Sequence, residues 1–210
     1  MIEIELITKN PMYYVKDLNC LTIGKRAIKD KPYSDEEQEK FWWDAFLSEH
    51  STLRTVQFRI VDDNMRGDIA SQLLRATKGH PQPEMQSSRP DWNNGEKRKP
   101  SNETFRLFAH VHTAESFMAL CRQRLCYSTM KETREKVEEI LEIMSNSDEA
   151  FFRVLAKCCV PQCIYRFGCC EKRTNCRLVD RFDGYYENHK LVDMLNLKER
   201  YELYYEWRNK

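Results

Sequence analysis

Two stretches of the chain hold residue types that could do chemistry. The first runs Gln72-Leu-Leu-Arg75, crosses a segment punctuated by proline and glycine, and reaches Gln86-Ser87-Ser88-Arg89. Hydroxyls, loop N–H groups and a guanidinium fork in that order suit a phosphate, because each can donate a charge-assisted hydrogen bond to it. Read separately, Arg75 and Arg89 are surface charges and the two serines fill a turn. The second stretch gathers Cys158, Cys159, Cys163, Cys169, Cys170 and Cys176. The frame Cys159-x3-Cys163-x5-Cys169-x6-Cys176 offers four thiolates, the donor set of tetrahedral zinc and, second to it, of an iron–sulfur cluster. No C-x-x-C pair is present, so unligated thiols and disulfides stay open beside a metal site. Arg166, Lys172, Arg173 and Arg177 are interleaved with these cysteines, which adds the reading of a zinc-containing interaction module that touches nucleic acid.

Bulk composition narrows these choices. Across 210 residues, 34 Lys+Arg face 33 Asp+Glu for a net charge of +1. That balance argues against a broad basic footprint for duplex nucleic acid. The mean hydropathy of −0.74 and the lack of a long apolar run argue against a membrane span. The opening Met1-Ile-Glu-Ile-Glu lacks the layout of a signal peptide, so a cytoplasmic location is expected, and cysteines there are thiols or ligands before they are disulfides.

The elements that must position these groups follow from periodicity. Residues 2–7 and 55–61 alternate apolar and polar side chains, the pattern of half-buried strands. Ser34 with Glu37 is a capping box, and it opens a helix whose apolar side is Trp42, Trp43, Phe46 and Leu47. A shorter helix is predicted over 68–75. Residues 76–100, with four prolines, admit neither a continuous helix nor a central strand. Beyond them a helix is predicted over 102–124, which sets His110 and His112 on different sides and denies them a shared metal. Thr129 with Glu132 reads as a second capping box, Ser147 as the start of another helix, and 191–207 as a terminal helix with Tyr201, Tyr204, Tyr205 and Trp207 as packing aromatics. Cys121 and Cys126 read as small buried apolar residues. The order predicts a mixed α/β domain over 1–145, with a β-sheet and a helical half, and a helical, cysteine-rich extension over 146–210.

Taken in sequence, Thr55-Val-Gln-Phe-Arg-Ile, Gln72-Leu-Leu-Arg75 and Gln86-Ser-Ser-Arg89 resemble the core of the flavin-dependent (alternative) thymidylate synthases. In that family a strand leads into a helix ending Q-x-x-R-H-R, and a loop ending S-x-R-Y follows. Ser116-Phe-Met-Ala-Leu-Cys-Arg-Gln-Arg124, with Glu132 further on, is similar to the family's S-L-x-x-x-L-x-x-R helix and A-Q-x-E segment. Glu49-His50-Ser51 stands where the family has H-x-S/T. The resemblance implies the family's fold and the reductive transfer of a methylene from methylenetetrahydrofolate to C5 of dUMP, as methyl or hydroxymethyl. NADPH would reduce FAD bound between subunits of a homotetramer. It assigns Gln72, Ser87, Arg89 and Arg124 to the nucleotide, with Ser88 beside them, and His50, Ser51 and Arg75 to FAD. It requires no cysteine nucleophile. This chain reads Arg75-Ala76-Thr77 in place of R-H-R, leaving Thr77 at that position and Lys78 or His80 as substitute donors, and it has Thr113, Glu115 and Ser128 where the family has flavin contacts. Those departures imply the alternative of a nucleotide-binding descendant that has lost FAD.

Overall fold

The computed structural model describes residues 1–29, 31–76, 83–85, 104–166, 176–185 and 196–210, with the backbone alone at 83, 84 and 183–185. In chain order the elements are β1 (Ile2–Leu6), α1 (Pro11–Leu21), α2 (Asp35–Ser48), a 3-10 turn (Ser51–Thr55), β2 (Gln57–Arg66), α3 (Gly67–Ala76) and β3 (Pro83–Met85). There follow β4 (Phe105–Thr113), α4 (Ala114–Arg124), α5 (Lys131–Ser145), α6 (Ala150–Cys158), α7 (Gln162–Tyr165), α8 (Leu178–Tyr185) and α9 (Leu197–Arg208). The strands form one antiparallel sheet in the order β1-β2-β4-β3. The architecture is therefore mixed α/β. No helix among the described residues is long and apolar enough to cross a membrane.

Where the sequence pattern is strict, the local structure follows it. Phe58 and Ile60 of β2 point into the core while Gln57 and Arg59 face outward. Ser34 and Glu37 cap α2 reciprocally, Ser34 Oγ accepting from Glu37 N at 3.2 Å and Glu37 Oε2 accepting from Ser34 N at 2.8 Å. β2 continues past its alternating run through a bulge between Asp62 and Met65. Asp62 makes that bulge: Oδ1 accepts from Asn64 N at 2.8 Å and Oδ2 lies 3.1 Å from Lys136 Nζ. The predicted irregular segment holds β3, whose Pro83 is tolerated because it is an edge strand.

The helix predicted over 102–124 is half strand. Residues 105–113 pair with β2, Ile60 opposite His110 and Phe58 opposite His112, and only Ala114 onward is helical. The switch is fixed by a capping box: Thr113 Oγ1 accepts from Ser116 N at 3.2 Å, and Ser116 Oγ accepts from Thr113 N at 3.0 Å. Serine plays the part that Glu or Gln plays in the usual signature. Residues two apart on a strand share a face, so His110 and His112 point the same way, opposite to the helical expectation.

Other boundaries shift for local reasons. Thr129 does not cap α5; its hydroxyl donates to Gln123 O at 2.9 Å, and Met130 takes the N-cap position without a side-chain bond. Ser147 accepts from Glu149 N, so α6 begins at Ala150. The terminal helix is described from Leu197, where Asn196 accepts from Lys198 N and Glu199 N; the predicted stretch 191–195 lies outside the described residues. α1 was invisible to periodicity: Pro11 starts it and Met12 and Val15 are its buried apolar anchors.

The core lies between the inner sheet face and the helices. Phe58 is its centre, with ring centroids at 5.5 Å from Phe117, 5.9 Å from Phe151 and 5.5 Å from Phe152. Trp42 stacks on Phe46 at 5.6 Å and meets Phe151 edge-on at 5.0 Å. Each such ring contributes roughly 2–3 kcal/mol through burial. Cys121 and Cys126 are buried among apolar neighbours, as expected of small core residues. Tyr201 and Tyr204 of α9 are buried and Tyr204 contacts Trp207 at 5.9 Å, so these aromatics pack the terminal helix.

Candidate functional site

Two neighbouring strands each run straight into a helix: Arg66 of β2 into Gly67 of α3, and Thr113 of β4 into Ala114 of α4. Because β2 and β4 pair, α3 and α4 emerge side by side and pack together. α3 buries Ile69, Ala70, Leu73 and Ala76, which leaves Gln72 and Arg75, one turn apart, clear of the core. α4 buries Phe117, Leu120 and Cys121 and carries Arg124 in its last turn, where the helix dipole favours a cation.

These placements bring Gln72, Arg75 and Arg124 together. Gln72 Oε1 accepts from Arg124 Nη1 at 3.1 Å across 52 positions of sequence. Burial, and then the like charge of Arg75, pull the Arg124 pKa below its ordinary value. Arg124 Nε is buried and has no hydrogen-bond partner among the described residues. Among the described residues no carboxylate is paired with Arg75 or Arg124. Two guanidiniums therefore stand close together, one of them half-buried, without a described counter-charge. The Gln72 carbonyl is engaged, so its amide N–H groups remain to donate to a neighbouring acceptor.

His50 and Ser51 are not part of this cluster. Both are exposed at the start of the 3-10 turn, and His50 Nδ1 lies 3.3 Å from Thr52 Oγ1. That turn meets the other end of α4, where Glu49, Leu53, Glu115, Met118 and Arg122 line a small cleft. Glu115 and Arg124 lie nine positions apart on α4, roughly 13 Å along its axis. Arg54 grips Glu115 in a fork, Nε to Oε2 at 2.5 Å and Nη2 to Oε1 at 3.1 Å, and holds its carboxyl below the usual range. Glu49 pairs with Arg122, whose guanidinium lies 3.6 Å over the Tyr165 ring. Every charge at this end has a partner.

Ser87, Ser88, Arg89, Thr77, Lys78, His80 and Cys169 lie outside the described residues. Of the remaining proposed metal ligands, Cys159 and Cys163 are buried and Cys176 is partly buried. Cys159 and Cys121 of α4 are free thiols in hydrogen-bond contact. Burial pushes the Cys121 and Cys158 thiols well above their ordinary pKa, keeping them protonated. Among the described residues no group of three or more His, Cys, Asp or Glu is placed to hold a metal ion.

A buried polar relay escaped the sequence reading. His110 Nδ1 lies 2.5 Å from His112 Nε2, and His112 Nδ1 lies 3.1 Å from Ser116 Oγ. Ser116 Oγ already accepts from Thr113 N and donates to Thr113 O at 3.0 Å, so its remaining role is to accept from His112 Nδ1–H. His112 Nε2 then accepts from His110 Nδ1–H, and His110 Nε2 is a buried, unpartnered lone pair. Burial holds both rings neutral, His110 at a pKa of about 4 and His112 well below its ordinary value, the latter pushed further by His110. The relay ties the inner face of β4 to the first turn of α4 and so helps to set the direction of the helix that carries Arg124. The signal for it was a polar residue at every second position, hidden because the apolar residues between face outward.

No family model, no curated protein and no solved structure matches this chain.

Proposed function

We propose that the chain binds a pyrimidine nucleoside monophosphate, dUMP or a close relative, against Gln72, Arg75 and Arg124. In the synthase version of this reading the reaction would be reductive C5-methylation or hydroxymethylation of that nucleotide, with methylenetetrahydrofolate as one-carbon donor and a flavin reduced by NADPH as the hydride source for methyl. The observation that carries this reading is the meeting of Gln72 and Arg124, the substrate-side residues of two motifs 52 positions apart, at 3.1 Å. Among the described residues the half-buried Arg124 has an unpartnered Nε and no paired carboxylate, which suits a phosphate or a developing anionic oxygen. Gln72 presents amide donors to a nucleobase carbonyl. Ser87, Ser88 and Arg89 complete the phosphate grip in this reading, arriving from outside the described residues. No protein nucleophile is involved: Cys121 is fully buried against Cys159.

The resemblance also implies FAD, reduced by NADPH and held between the subunits of a homotetramer. The described residues of one chain do not fit that anionic dinucleotide. Arg54, the cation of the turn bearing His50 and Ser51, is engaged by Glu115, and Arg75 stands at the opposite end of α4. The second reading, nucleotide binding without flavin, is favoured by that Arg54–Glu115 fork.

Calorimetric titration with dUMP tests the nucleotide site. Arg124→Ala should weaken dUMP by roughly tenfold to a hundredfold, the loss expected of a charge-assisted hydrogen bond. Unchanged affinity in Arg124→Glu overturns the reading. The absorption spectrum of the purified protein separates the two versions: bound flavin released on denaturation supports the synthase, and a colourless protein that takes up no added FAD supports the descendant.

A further inference from the structure

A cavity of about 570 Å³ opens among the end of β1, the first turn of α1, α2 and the start of α6, and it shares no residue with the Gln72–Arg75–Arg124 cluster. Its volume falls within the range of small-molecule sites. Trp42 and Phe151, packed edge-on against each other in the core, close its apolar base, and Tyr13 and Tyr33 add aromatic walls. The charged residues on the wall are Lys9 and Lys31 against one carboxylate, Glu149. Neither lysine forms an ion pair with a described carboxylate, whereas Arg26 nearby is neutralised by Asp17 at 2.9 Å. Lys31 Nζ lies 5.0 Å and Lys16 Nζ 3.6 Å from the centre of the Tyr33 ring, and both lysines help to hold the Glu37 carboxyl of α2 below its usual range, behind backbone and side-chain hydrogen bonds from Ser34. The α1 N-terminus at Asn10, which has no side-chain cap, adds to the positive potential. Ile28 stands 73% exposed at the rim.

We propose that this cavity binds a small planar anion, an aromatic or conjugated ring carrying a carboxylate, sulfonate or phosphate. Aromatic walls select the flat ring and the two unpaired lysines select its charge. A cationic ligand would meet two like charges for its one partner at Glu149.

The test is a fluorescence titration of the full chain with anilinonaphthalene sulfonate, alongside its uncharged relative phenylnaphthylamine. The sulfonate should bind once per chain with the near-ultraviolet circular dichroism unchanged, which separates a folded site from a loosened core. Lys9→Glu with Lys31→Glu should weaken the sulfonate about tenfold and leave the uncharged dye unaffected, as expected for partly exposed charges. Ile28→Trp, at an exposed rim position, should weaken both dyes, and saturating dUMP should displace neither. The proposal is overturned by a folded protein that binds no sulfonate dye, by affinities unchanged in both variants, or by displacement with dUMP.

Discussion

The two ends of α4 carry similar residues in opposite electrostatic states. At the N-terminal end, Glu115 is forked by Arg54, Arg122 is paired with Glu49, and Thr113 and Ser116 satisfy one another's backbone groups. At the C-terminal end, Arg124 shares a neutral glutamine and faces the like charge of Arg75. Paired charges of the first kind add little to stability, because each gain on pairing is offset by lost solvation. An arginine pressed towards another arginine lowers stability, and in the proposed function the nucleotide phosphate would relieve that repulsion. The contrast separates charge neutralised within the fold from charge that the proposed nucleotide would neutralise.

The largest expected effect on this contrast comes from acid, through the relay beneath the N-terminal end. In the unfolded chain a histidine takes its proton near pH ~6.5. In the fold His110 takes it only at about pH 4. Between these values the unfolded state binds more protons, so stability falls as pH drops through that window and is unaffected above it. The loss should reach roughly 3 kcal/mol by the lower limit, read as the urea midpoint against pH, and His110→Phe with His112→Phe should flatten the curve. Next comes Arg124→Gln, which should weaken dUMP by roughly tenfold or more while raising the melting temperature, since like-charge repulsion is relieved. A lowered melting temperature would count Arg124 among the structural charges. Ser116→Ala, which unmakes the cap and the end of the relay, should cost about 1 kcal/mol of stability, measured by chemical denaturation. Smallest is Arg54→Ala: the exposed fork should contribute under ~1 kcal/mol, and a double-mutant cycle with Glu115→Ala should return a coupling of that size without altering dUMP affinity.

Much of this arrangement was legible in the sequence, and the exceptions share a cause. β1, β2, α2 and α3 follow from strict periodicity or a complete capping signature. The pattern of residues 105–113 predicts helix because the alternation of β4 is inverted: Leu107, Ala109 and Val111 face outward while His110 and His112 face the core. A rule that equates inward with apolar cannot see two histidines that satisfy each other. Once residues 105–113 are a strand, Arg124 moves next to Gln72, a proximity that motif order suggested and helix reading could not place. The Arg54–Glu115 fork was hidden for another reason: its partners are 61 positions apart and nothing local in either segment signals the pairing. His50 and Ser51 were picked out by motif, but their turn packs at the far end of α4, a distance only the register of β2 on β4 determines.

The hydrogen bond between Gln72 and Arg124 has a kinetic consequence. A free arginine side chain gives up roughly 2 kcal/mol of rotamer freedom when a ligand immobilises it. Here a half-sunken stem and a glutamine carbonyl have already frozen much of that motion while the chain folded. In the proposed function, an incoming phosphate would thus meet a guanidinium already held in place. Replacing Gln72 with leucine would slow capture and speed escape even for ligands that never touch position 72.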